Sequence, residues 1–250
     1  MNGAVPRAER TLVLIPVFNE SRSLPELIGE IRSLRLGVEV MVVDDGSRDG
    51  SDRIARALGC QVLVHPFNLG DGAARQTGFL YAFREGYDYL VHLDGDRQHS
   101  PAEIPRLLDE LRRGEADLVV GSRFLGACTY RLGLAKKIGM KVFSLICSTV
   151  IRQKITDPTS GFRALNRRAL AAFTEGYYPQ HFPDADVIIS SHFQGLTIRE
   201  VPVTMSASES LGLHRGLTIL YYIYKMLLST FVCSLRLRRA SPGEANGHAA

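Results

Sequence analysis

Short apolar runs alternate with helix-period segments through the first half of the chain. Residues 12–17, 38–43, 61–65, 89–93 and 118–120 are stretches dominated by valine, leucine and isoleucine. That is the pattern of strands covered on both faces, as in a parallel sheet. Between them, apolar positions recur every three or four residues over 24–34, 52–58, 73–83 and 102–111, which predicts amphipathic helices. Repeated strand–helix–strand units with short connections imply an α/β sheet with right-handed crossovers. No internal repeat or linker is visible in residues 1–200, so one elaborated domain is expected of the 250-residue chain.

Ligands of such sheets bind beyond the carboxyl ends of the strands, and the chemically distinctive residues fall at those ends. Asn19 and Glu20 follow the first run, Asp44 and Asp45 the second, Asp94 and Asp96 the fourth. In Leu93-Asp94-Gly95-Asp96-Arg97-Gln98 two carboxylates lie within reach of one ion, with Gly95 allowing the bend between them. Hard cations such as Mg²⁺ or Mn²⁺ take such oxygens together with substrate phosphates, and Gln98 is a further oxygen ligand. The alternative is a polar turn before a helix with Ser100 as cap and Pro101 at its first position. His99 reads as a surface residue. Asp44 and Asp45 either accept from a ribose or base, or make turn bonds while Asp49 or Ser51 caps the next helix. Pro16, Val17, Asn19 and Glu20 form a nucleotide wall, or a loop capped by Ser23. The turn Asn68-Leu69-Gly70-Asp71-Gly72 opens a helix and can bring backbone N–H groups to a phosphate, but it is neither a Walker loop nor GxGxxG.

The motifs PVFNE, VVDDGSRDG, NLGDGAA, LDGDRQH, GSRF and DPTSGFR occur in the order and spacing of family 2 glycosyltransferases with the GT-A fold. More narrowly, the chain resembles the polyprenyl-phosphate (dolichol-phosphate type) sugar synthases, from about Thr11 to about Thr204. The resemblance implies a Rossmann-like, mostly parallel sheet flanked by helices and an inverting transfer from a nucleotide-sugar, assisted by a divalent metal. By the same resemblance Pro16, Val17, Asn19, Glu20, Asp44, Asp45 and Gly70 hold the nucleotide, and Asp94, Asp96 and Gln98 the metal. Arg123, Lys136 and Lys137 meet the acceptor phosphate, and Asp157, Ser160, Gly161 and Arg163 close the acceptor side. Two departures stand out. Asp71 replaces a lysine common in the dolichol-type enzymes, and Ser206 to Ser210 replaces an arginine and a Gly-x-Ser pattern, leaving His214 and Arg215 to contact the pyrophosphate.

Composition narrows the picture further. With 45% apolar and 22% charged residues the chain is globular, and a net charge of +4 does not argue for nucleic acid. Its four cysteines are far apart and form no CxxC pair, which fits a reducing cytoplasm. Residues 1–10 read as a tail without a signal-peptide core, 11–212 as the catalytic domain and 240–250 as a disordered tail. Residues 213–239 read as an amphipathic helix. Its polar stripe runs Thr218, Tyr222, Lys225, Ser229 to Arg236, opposite a broad apolar face. A membrane surface, the protein's own sheet, or a dimer or membrane-protein partner are the contacts it could make. Residues 142–151 form a second apolar helix candidate.

Two acceptors remain open. A polyprenyl phosphate is already an anion and needs no strong base. A sugar hydroxyl does, and Asp184 or Asp186 would supply it. A nucleotide-binding protein without catalysis is the third reading.

Overall fold

The computed structural model describes residues 7–125, 134–175, 178 and 184–205. The helix expected over 213–239, its tail, and His214 and Arg215 lie outside them. Seven strands form one sheet in the order β3-β2-β1-β4-β6-β5-β7. They are β1 (Thr11–Val17), β2 (Glu39–Asp44), β3 (Gln61–Val64), β4 (Tyr89–His92), β5 (Leu118–Ser122), β6 (Arg163–Asn166) and β7 (Ile198–Pro202). All pairings are parallel except those of β6, which runs against both β4 and β5.

β1 shows why the sheet needs apolar residues on both faces. Leu12 and Leu14 pack into one core cluster, Val13, Ile15 and Val17 into the other, all essentially without solvent contact. The first cluster lies under α3 (Asp71–Arg84), α5 (Leu134–Ile151), α6 (Arg167–Glu175) and α7 (Ala185–Phe193). The second lies under α1 (Leu24–Ser33), α2 (Ser51–Ala57) and α4 (Ile104–Arg112). In α4 the buried residues Ile104, Leu107, Leu108 and Leu111 follow a three-four spacing, which turns one apolar stripe to the sheet. A short 3₁₀ turn, Pro101–Glu103, precedes α4 and has Pro101 at its first position; Ser100 makes no capping bond.

The five strands expected from the apolar runs are present, with ends shifted by a residue or two. β6 and β7 were not foreseen. RALN and IREVP are short and carry charges. Among the described residues no helix is long and apolar enough to cross a membrane.

Candidate active site

The carboxyl ends of β1, β2 and β4 form one rim, and side chain–backbone bonds stitch its loops together. Asn19 adopts a left-handed conformation (φ 59°), and its Oδ1 accepts the Arg48 N–H at 2.9 Å. The Asn19 N–H donates to Ser47 Oγ and the Glu20 N–H to Ser51 Oγ. Ser23, expected as a helix cap, donates instead to the Glu20 carbonyl and carboxylate. The N-cap of α2 is Gly50 (φ 85°). Asp49 accepts from Ser51 and Ser21; burial opposes its charge, but these bonds outweigh it and lower its carboxyl to about 2.

Asp44 and Asp45 divide the work at the end of β2. Asp44 Oδ1 accepts the Ser47 N–H at 2.7 Å, while its buried Oδ2 meets no donor among the described residues. Asp45 accepts the N–H groups of Leu69 and Gly70 at 2.9 and 2.8 Å, and His65 Nδ1 lies 2.7 Å away, with His65 Nε2 on Thr77. Asp45 is therefore the anchor of the glycine turn. The expectation that this turn offers its N–H groups to a phosphate needs correcting at Leu69 and Gly70, whose donors are already used.

The acidic pair stands on the loop after β4. Arg75 Nη2 donates to Asp94 Oδ1 at 2.6 Å. Burial opposes the Asp94 charge, but Arg75, His99, Arg163 and Arg123 together outweigh it and hold the carboxyl below its usual range. Asp96, at the rim, accepts from the Gln98 N–H at 3.0 Å and from the Gln98 amide. Loss of solvation, then the Asp94 charge, pushes its carboxyl up to about 6. The left-handed residue of this bend is Arg97 (φ 63°), not Gly95, and Glu26 and Glu30 clamp its guanidinium at 2.5 and 2.9 Å. His99 is not on the surface. It is 2% exposed, packs on Phe162, and has Nδ1 3.6 Å from Asp94 Oδ2. Burial, with its ring packed on Phe162, pushes it down to about 4.

The residues assigned to the acceptor side are mostly engaged with one another. Arg123 grips Asp157 through Nε and Nη2 at 2.7 and 2.8 Å and also donates to Thr159. Asp157 is fully buried. Ser160, also fully buried, accepts the Phe162 N–H. Arg163 is buried too, and donates to the carbonyls of Pro158 and Asp184. These three stand behind the cleft wall. Asp184 lines the cleft, whereas Asp186 is buried in α7, where its Oδ1 accepts the Val187 N–H. Lys136 and Lys137 fall near the start of α5, with side chains outside the described residues.

Two adjoining hollows result. One of ≈ 360 Å³ is lined by Glu20, Arg75, Asp94, Asp96, Thr159 and Asp184, among others. The other, ≈ 220 Å³, is lined by Val17, Asp45, Asn68, Gly70 and Ala74. Pro16, Phe18 and Asp71 belong to both. The larger groove along α4 and β7 gathers no such set of functional groups, and its Arg106 is tied to Pro202. Asp45 and Asp96 thus open onto one cleft. Hard oxygen donors at Asp94, Asp96 and Gln98, one of them a destabilised carboxylate that a cation would relieve, suit Mg²⁺ or Mn²⁺. Among the described residues no three His, Cys, Asp or Glu side chains could hold a metal, so phosphate oxygens would complete the shell. Arg75 was missed from the sequence, where it looks like the partner of an ordinary i,i+4 pair with Asp71.

The mostly parallel sheet with carboxylates gathered beyond its strand ends is the arrangement of the GT-A glycosyltransferase fold. The sequence matches the profile of glycosyl transferase family 2 over residues 12–173, and the chain belongs to that family. It is similar to the polyprenol monophosphomannose synthase of Mycolicibacterium smegmatis, 34% identical over 214 residues, covering 80% of this chain and 79% of that protein. It is equally similar to the undecaprenyl-phosphate mannosyltransferase of Micrococcus luteus, 34% identical over 80% of this chain and 85% of the relative. Among solved structures, glucosyl-3-phosphoglycerate synthase from Mycobacterium tuberculosis, in complex with Mn²⁺, UDP and glucosyl-3-phosphoglycerate, superposes with a TM-score of 0.69. That match has 23% identity and covers 91% of this chain and 80% of the other.

Proposed function

We propose that the protein transfers a hexose, with inversion, from a nucleotide-sugar to a polyprenyl phosphate at the cytoplasmic face of the membrane. The observation that carries this reading is the single cleft shared by the Asp45-anchored glycine turn and the Asp94–Asp96 pair. The two relatives at 34% identity are named for polyprenyl-phosphate chemistry, which supports this acceptor.

The nucleoside lies along Pro16, Val17, Asn19 and Glu20, with Asp44 and Asp45 beneath. Asp94, Asp96 and Gln98 would hold the divalent cation. When bound, that cation offsets the charge building on the leaving diphosphate. Arg123, steadied by Asp157, acts with Lys136 or Lys137 to orient the acceptor phosphate, which attacks as an anion without a general base. The stripe in residues 217–235 supports docking on an anionic leaflet.

The test is purified full-length protein with polyprenyl phosphate, UDP-, GDP- and dTDP-sugars, and Mg²⁺ or Mn²⁺. A lipid-linked sugar from one donor is expected; none from any donor would end the proposal. A hydroxyl acceptor is the second reading, because Asp184 faces the cleft. It requires Asp184→Asn to stop transfer, whereas the phosphate reading expects transfer to persist. Vesicle partitioning of the full chain against a chain ending before Leu217 tests the membrane contact; equal partitioning removes it.

A further inference from the structure

Arg75 is only 5% exposed, yet its guanidinium lines the cleft beside the acidic pair. The fork is fully directed. Nε faces Asp71 at 2.9 to 3.0 Å, and Nη2 reaches Asp94 at 2.6 Å. Nη1 lies 3.0 Å from His92 Nδ1 and 3.4 Å from the Gly161 carbonyl. A buried, neutral His92 can only accept from such a donor, so β4 fixes the guanidinium from below while α3 fixes it from the side. A planar fork held on several sides cannot swing away when ligands arrive.

A fixed positive charge at this spot acts oppositely on the two kinds of ligand the cleft takes. It repels a divalent cation and attracts a diphosphate. It also pins one oxygen of Asp94 and leaves the other for a metal. Asp71, paired with Nε of the same guanidinium and itself at the cleft, subtracts from its field.

We propose that Arg75 is a positioning residue that sets the order of loading: a divalent cation alone binds weakly, and a nucleoside diphosphate brings the cation in with it. This rests on the nucleotide-sugar reading of the cleft.

The test measures Mn²⁺ binding alone, by the signal of free Mn²⁺, and calorimetric binding of UDP and GDP with Mn²⁺, on the full chain. Arg75→Gln should bind Mn²⁺ alone about tenfold more tightly and nucleotide about tenfold more weakly. Asp71→Asn should move both affinities the other way, and Arg75→Lys, which keeps the charge without the fork, should bind nucleotide more tightly than Arg75→Gln and less tightly than the parent. If Arg75→Gln does not fold, the half-exposed Asp71→Asn decides alone. A loss of both affinities in Arg75→Gln, or no change in either, overturns the proposal, as does Asp71→Asn shifting both in the same direction. Should the parent bind neither nucleotide, the nucleotide reading fails, and the Mn²⁺ arm still judges Arg75.

Discussion

Gly161 offers a test of how finely the acidic pair must be placed. It sits on the loop that enters β6, at an ordinary φ, so alanine meets no backbone obstacle there. What it meets is Asp94: a Cβ at this position would lie 2.5 Å from Oδ2 and 3.1 Å from both Oδ1 and Cγ. Ordinary contact begins near 3.4 Å, so the carboxylate must retreat by roughly 0.9 Å, and a misplacement of about 1 Å in a reacting site can cost about 10²-fold in rate. The retreat also strains the 2.6 Å bond from Arg75. We expect Gly161→Ala to lower sugar transfer at saturating Mn²⁺ about 100-fold while costing roughly 1–3 kcal/mol of stability, the usual range for overpacking. Transfer to polyprenyl phosphate and urea unfolding measure the two effects. Gly29→Ala is the control: it sits on the exposed face of α1 with nothing within 4 Å, and should gain about 0.5–1 kcal/mol with transfer unchanged. A Gly161→Ala protein within threefold of the parent in transfer would refute the claim that Asp94 is held in a functional position.

Other outcomes follow from the same contacts. Asp96 has a folded value near 6, above that of a free carboxyl. Its contribution to stability is therefore full at acid pH and is lost as pH rises through about 6; Asp96→Asn should raise the metal-free melting temperature at pH 8 and abolish its further rise with Mn²⁺ and nucleotide. Gly78→Ala drives a Cβ to 2.4 Å from the Leu14 side chain, and should cost about 1–3 kcal/mol in denaturant titrations with little change in Mn²⁺ affinity. Asp157→Asn leaves the Arg123 guanidinium without its buried anion and should cost about 3–5 kcal/mol; unchanged unfolding would show the pair to be dispensable.

The central strands were readable because burial on both faces leaves little choice but valine, leucine and isoleucine. β6 escaped because Arg163 opens it and Asn166 ends it, and only its pairing with β4 and β5 declares it a strand. The carboxylates of the rim were legible by the same route, since each follows a recognisable strand. The division between Asp44 and Asp45 was not: both sit at one strand end, and which of them meets Leu69 and Gly70 depends on a turn 25 residues away. His99 and Arg75 were misjudged or missed for one reason. Polar residues on a loop and a helix look solvated until the neighbouring strand that covers them is known.

The reversed direction of β6 has a further consequence. Every other strand at the rim delivers the loop that leaves it, but β6 delivers the loop that enters it, carrying Thr159 and Gly161 to the cleft. The two walls of the cleft are thus threaded from opposite chain directions and meet where Gly161 packs against Asp94 and its carbonyl faces Arg75. Rewriting the segment ahead of Thr159 alters one wall while the half built by β1, β2 and β4 keeps its register, as long as Gly161 stays small enough to leave Asp94 in place.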